Sequence, residues 1–429
     1  MENMKPTAWS LADQGVYSGS NFVLGFVCVR LLPVQDYGIF SVAFSLSLFF
    51  AGLYHSLLLE PMCVKAPAQS AISGPHYLRI MEYQHLLGSL ALLLFTLPLL
   101  LPAAHLREGL AEALACSLWF TPAMLYQWLM RRACYVWGTA RLAAASSLLY
   151  AAALGAVFAA VYSLGVRGYA APLAAMTAAS LAGGLYVRRI LIPAPPSTGS
   201  LRGDSRLIWR GHWAYSRWVL PAALLYWVAE AAFPAFLLLG QGSAGSALYR
   251  AADTLFLPLS QAVAAFCLFY LPRLARDGAT RPERVRRFSA VSASVVALSG
   301  LVYLGLAILL APWLVRVLFA NPFYDAVIPL IPWLGLAAVQ RAICDLSLST
   351  PLRACGQPRL VFFPVLAGAV VTAAGCAALI PRMGAGGAVA VRAVSATAQA
   401  IVLLLLYRSY LRGDWGLAAA GRPAASSAS

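Results

Sequence analysis

Apolar runs of about twenty residues recur along the whole chain, and they limit the fold more than any other feature. They cover residues 12–32, 37–59, 78–101, 109–130, 142–163, 169–192, 213–239, 247–271, 288–319, 325–350, 359–380 and 385–411. A helix rising about 1.5 Å per residue needs roughly twenty such residues to cross the hydrocarbon of a bilayer. In lipid every backbone group must be satisfied within the segment, which makes each run a helix. A membrane β-barrel alternates apolar and polar residues and has no runs of this kind. The expected fold is therefore an all-α polytopic membrane protein of about twelve transmembrane helices. Composition agrees: 61% of the 429 residues are hydrophobic and 11% are charged, against about a quarter charged in a soluble domain. Pro312 is expected to end the straight part of the over-long 288–319 run.

The formal net charge is +16. The basic residues lie in short segments between apolar runs, not in a basic domain, so nucleic acid is not an expected partner. With the N-terminus in the cytoplasm, most of the 31 basic residues fall on that side. Arg131, Arg132 and Arg141 lie there, as do Arg188, Arg189, Arg202, Arg206, Arg210 and Arg217. The opposite face carries few, among them Arg30, Arg107 and Arg167. Both termini are expected to be cytoplasmic, and the first run is read as a retained helix. Trp9, Tyr37, Trp213, Trp218 and Trp415 stand at run ends and read as interfacial anchors.

Residues 193–206 are rich in Pro, Gly and Ser and divide the runs into two sets of six. The expected organisation is an N-terminal lobe over 1–195, a cytoplasmic linker over 196–212, a C-terminal lobe over 213–411 and a cytoplasmic tail over 412–429. An even number of helices per set makes the two lobes parallel repeats about an axis along the membrane normal. One internal match supports this. Arg132, Ala133 and Cys134 precede Arg141 and Leu142, while Arg353, Ala354 and Cys355 precede Arg359 and Leu360 at the corresponding corner.

No outer connection exceeds about a dozen residues on this reading, which leaves little room for a catalytic surface outside the lipid. The first outer corner, residues 31–36, carries the single carboxylate Asp36. The eight cysteines and five histidines show no metal-ligand spacing, and no metal or cofactor is expected. A transporter is the expected class, not an enzyme.

Ionisable residues inside a membrane are costly and usually face a cavity. Asp13 lies near the start of the first helix, and a helix N-terminus at the interface or a cavity site would explain it. Arg30 closes that helix, either snorkelling to head groups or contacting an anion. Glu230 has no basic residue within a turn. Pro234 frees its carbonyl and can bend the helix, so coupling to a proton or sodium is one reading and a neutral acid bonded to a neighbour is the other. Arg250 with Asp253, and Arg341 with Asp345, are spaced to pair on one helical face. Each pair is a structural bridge or an arginine held ready for phosphate. Arg392 has no nearby acid in sequence and points to an anionic ligand, with Glu230 or Asp345 as its alternative partner.

Several segments taken in order resemble a known family. Ser20, Asn21 and Arg30, then Asp36, Tyr37, Gly38 and Phe40, are similar to the opening of Wzx-type polysaccharide flippases. These belong to the multidrug/oligosaccharidyl-lipid/polysaccharide exporter superfamily. Leu248 to Ala252, Leu271 to Ala275, Pro312 to Phe319 with Tyr324 to Ala326, and Leu352 to Gly356 resemble later family segments. The resemblance implies two six-helix lobes around a central cavity of alternating access. It implies transfer of an undecaprenyl-pyrophosphate-linked oligosaccharide to the outer leaflet of a bacterial inner membrane. Membrane lipids and the polymerase and chain-length proteins of polysaccharide assembly are the implied partners. Their positions in the helices, not the resemblance, select Arg30, Arg250, Arg341 and Arg392 as the expected anion contacts, and Asp13, Glu230, Asp253 and Asp345 as the expected ion-coupling acids. A drug/cation antiporter of the same superfamily is the alternative, and a membrane glycosyltransferase or polymerase a more remote one.

Overall fold

A computed structural model describes residues 4–66, 73–100, 102, 105, 108–137, 139–192, 201–278, 282–355, 357 and 359–412. Trp415 and the tail beyond 412 lie outside the described residues, as does the side chain of Trp218. All the regular structure described is helical. α1 is Met4–Leu31 and α2 is Val34–Tyr54, continued by a π-turn at His55–Leu59 and by Glu60–Lys65. α3 is Gly74–Thr96, α4 Leu110–Val136, α5 Ala140–Ser163 and α6 Ala170–Leu191.

The second set is more broken. α7a is Leu201–Glu230 and α7b Phe233–Gln241. α8a is Ser243–Thr254 and α8b Leu257–Gly278. α9a, Pro282–Leu309, stops before Pro312, and α9b, Ala311–Phe319, follows. α10, Pro322–Ala354, opens as a 3-10 helix and has a π-turn at Cys344–Ser349. Both π-turns precede a proline, Pro61 or Pro351, whose missing N–H cannot return to the previous turn.

α11 and α12 are the two arms of the helical stretch Arg359–Arg412, on either side of Gly384. Gly384 has φ 57 and ψ −132, a conformation open to glycine and costly for residues with a Cβ. The arms fold back on each other. Thr372 donates to Ser395 at 3.0 Å, Gly375 faces Val391, and Gly368 faces Gln399. These pairs close symmetrically about Gly384, as in an antiparallel helical hairpin.

Seven described helices are long and apolar enough to cross a membrane, or eight if the bent pair at residues 223–241 counts as one span. The twelve apolar runs all form helices. The smaller number arises where polar residues dilute a run, as in α1 and α4, where a run is broken, and where α11 and α12 join as one stretch.

In the first lobe α5 packs on α1 and α6, and α4 on α2 and α6. In the second, α9a packs on α10, and α10 on the arms of the hairpin. The repeat is visible at one corner. After α4, Thr139 N–H bonds to Cys134 O at 2.7 Å and Leu142 N–H to Thr139 O at 2.8 Å. After α10, Gln357 N–H bonds to Leu352 O at 2.8 Å and Leu360 N–H to Gln357 O at 3.2 Å. The same bond spans recur, so Arg141 and Leu142 correspond to Arg359 and Leu360. The Arg-Ala-Cys triplets do not coincide, because Cys134 corresponds to Leu352.

Two sequence expectations change. Residues 201–212 are helical, so α7a begins inside the stretch assigned to the linker. Tyr37 is fully buried, not interfacial. It packs on Phe40 and Tyr324, next to the place where α2 meets α8a. A Cβ on Gly38 would lie 2.0 Å from Ser243 O, so glycine permits the two lobes to touch backbone to backbone there. This contact lies on the face opposite the termini. Trp9 and Trp213 are exposed, as an interfacial belt requires.

Candidate functional site

The break in α7 forms the candidate site. Pro234 has no N–H to return to Glu230 O, and Ala231 and Ala232 both bond back to Trp227 O. The carbonyls of residues 229 to 231 are thus left without helical partners. Arg392 on α12 donates to Glu230 O at 2.9 Å and to Ala229 O at 3.3 Å. Ser45 on α2 donates to Ala231 O, and Trp227 Nε1 donates to Ser45 O at 2.9 Å. Each lobe therefore holds one side of the same broken turn. α7a and α7b are bent by 53°.

The Glu230 side chain lies between two arginines. Arg392 Nη1 is 2.6 Å from Oε2, and Arg341 Nη1 is 2.7 Å from Oε1. Arg341 also donates to Asp345 at 2.8 Å and to Gln399 at 2.8 Å, and Gln399 donates to Glu230 at 3.0 Å. Tyr226 lies under Arg341 and Phe233 under Arg392, where ring faces attract the cations. Two formal positive charges meet two negative ones. Such a network is far cheaper to bury than any one of its members alone. It is not sealed, since Arg341 keeps 19% of its side-chain surface exposed and Asp345 33%.

The remaining sequence candidates divide. Arg250 and Asp253 pair loosely, at 3.4 Å. Arg250 also lies over Phe44 of α2, which places it at the seam between lobes. Arg30 is exposed in the last turn of α1 and joins none of these contacts. Asp13 is fully buried, not interfacial. Arg131 grips it through Nε at 3.1 Å and Nη2 at 2.8 Å, with Ser147 and Tyr135 donating as well. Tyr17 stacks on the guanidinium at 4.0 Å.

Sequence reasoning placed Arg131 in a cytoplasmic loop, yet α4 runs on to Val136 and carries it inside. Gln399, Ser45 and Tyr226 were missed. Polar residues in apolar runs could have flagged Gln399 and Ser45, whereas nothing in sequence marks Tyr226. Glu230 and Arg392 find each other across 162 residues of chain.

This geometry can be set beside known proteins. No protein-family model matches the sequence, and no curated protein matches it. Solved structures do. An inward-facing multidrug resistance MATE family transporter of the MOP superfamily superposes with a TM-score of 0.64 at 14% identity, covering 96% of each chain. The lipid II flippase MurJ in an inward closed conformation gives 0.70 at 10% identity, covering 94% of this chain and 87% of that one. The MATE multidrug transporter DinF-BH gives 0.64 at 14% identity, covering 94% of each. The fold is the one these solved transporters share. Twelve helices in two six-helix lobes around a central cavity describe it, and the site lies where α7 joins them.

Proposed function

We propose that this chain is a flippase for an anionic lipid-linked oligosaccharide, carrying its diphosphate and sugars across the membrane by alternating access. The observation that carries the reading is the arginine network at the α7 break, where Arg341 and Arg392 share Glu230 and Arg250 stands at the same seam. A diphosphate cannot cross hydrocarbon unaided, and arginines hold it through charge-assisted paired bonds. When the diphosphate takes the arginines, Glu230 is released to hold the coupling cation, a proton or sodium. Arg392 then also leaves the carbonyls of Ala229 and Glu230, and the α7 break is free to change its angle. Asp345 and Asp253 keep Arg341 and Arg250 positioned, and Arg30 meets the anion at the cavity mouth.

The moving bodies on this reading are residues 1–195 and 213–411. The N-terminal half of α7a links them on the cytoplasmic side of a bacterial inner membrane. The work is transport, with no covalent chemistry, and the product feeds polymerase and chain-length proteins. Asp13, first a coupling candidate, has the geometry of a structural rivet. Export of a lipophilic cation is the second reading, favoured by the MATE neighbours. A formally neutral network with two arginines suits an anion better.

The test is accessibility of the lipid-linked oligosaccharide in inverted vesicles, with wild type, Arg392→Ala and Glu230→Gln at matched protein levels. Movement by wild type and stalling in both variants supports the proposal. Movement in all three removes the site assignment. Efflux of a lipophilic cation with no glycolipid movement by wild type replaces the flippase with the antiporter.

A further inference from the structure

A second feature lies apart from the α7 break. α2, α3 and the N-terminal half of α7a enclose a groove of about 600 Å³. Its floor is buried Tyr54, Leu58 and Leu125, and its rim is exposed Leu87, Phe95 and Trp209. Gln84, Ser205 and Arg206 cluster at one end, and Ser89 and the Tyr54 hydroxyl are the other polar groups in an otherwise apolar lining. From Gln84 to Phe95 the groove follows eleven residues of α3, about 16 Å at 1.5 Å per residue. Half of a bilayer's hydrocarbon is about 15 Å. The polar end is at the face that carries the termini, and Trp209 and Trp213 stack there, at the level tryptophans take between lipid and water.

The polar end is built for an anion. Arg202, Arg206 and Arg210 repeat every four residues and are all exposed, so they form one basic stripe along α7a. Asp204, the acid nearest them in sequence, is engaged by His76 at 2.9 Å. Gln84 donates its amide to Ser205 O at 3.1 Å, which fixes the way the amide points. Its Oε1 is buried and has no hydrogen-bond partner.

We propose that this groove is a binding site for an anionic phospholipid in the leaflet at the termini face. Its phosphate meets Arg206, and one acyl chain lies along α3. The match to one leaflet argues for a phospholipid over a polyprenyl chain, which would outrun the groove. The bound lipid wedges α2 against α7a and so acts on the segment that links the lobes. The inference rests only on the membrane-spanning fold, whatever the cargo.

The test uses the full chain in detergent, titrated with phosphatidylglycerol or phosphatidylcholine and read by native mass spectrometry. Gly88 lies on the groove wall and a Cβ there meets nothing within 4 Å, so Gly88→Phe fills the groove without a clash. Gly305 on α9a is equally open, and Gly305→Phe serves as control. Thermal unfolding shows that each variant is folded.

The expected result is one phosphatidylglycerol per chain, retained at least tenfold better than phosphatidylcholine. Both Arg206→Gln and Gly88→Phe abolish that preference and Gly305→Phe keeps it. Equal retention of the two lipids, or retention that survives Gly88→Phe, overturns the proposal. So does stoichiometric displacement of phosphatidylglycerol by undecaprenyl phosphate that Gly88→Phe prevents, since the groove then belongs to a prenyl chain.

Discussion

Each lobe joins its first helix to its fourth through an acid and an arginine, and the two joints differ in kind. In the first, Asp13 of α1 meets Arg131 of α4; in the second, Glu230 of α7a meets Arg341 of α10. Asp13 has one arginine and two hydroxyl donors, all from its own lobe, and no exposed surface. Glu230 has two arginines, sits at a break, and belongs to a turn whose carbonyls are held from both lobes. The same pairing that locks one lobe leaves the other with charges that can change partner. Burial contributes to this, because a sealed ion pair has no cheap alternative state, while a network whose Asp345 is 33% exposed has one.

Substitutions can break the contrast. Asp13→Ala is expected to have the largest effect, leaving Arg131 buried and uncompensated at a cost of about 3–5 kcal/mol. Loss of folded protein in a thermal unfolding assay is the readout, and a stable variant would remove the rivet. Gly38→Ala comes next, since its Cβ would overlap the Ser243 backbone. It is expected to prevent closure at the face opposite the termini, so cysteines placed at the outer mouth should label faster than in wild type.

Glu230→Gln should cost less stability than Asp13→Asn, because Arg341 keeps Asp345 and Arg392 keeps the carbonyls of Ala229 and Glu230. Transport should fall at least tenfold; equal losses of stability in Asp13→Asn and Glu230→Gln would erase the distinction between the joints. Ser45→Ala should be the mildest, costing about 1 kcal/mol. Its readout is a shift in spin-label distance between α7a and α7b, with the first lobe unchanged.

Much of the fold is legible because the physics is local. A run of twenty apolar residues has to be a helix in lipid, and a proline can punctuate it. Pro234 and Pro312 mark breaks that the structure contains, while Pro122, Pro221 and Pro364 lie inside continuous helices. Pairs spaced by one turn, Arg341 with Asp345 and Arg250 with Asp253, are legible for the same reason.

The meeting of distant charges is not local. Arg131 reads as a loop residue until α4 is seen to extend past it, and Arg392 reads either as an anion contact or as a partner of Glu230 or Asp345 until α12 is laid against the α7 break. Sequence alone determined that this chain is a bundle of membrane helices in two sets, with a handful of charges inside. Tertiary structure alone decided which distant charges meet. Helix periodicity fixes the face a side chain occupies, but only packing between helices brings two such faces together.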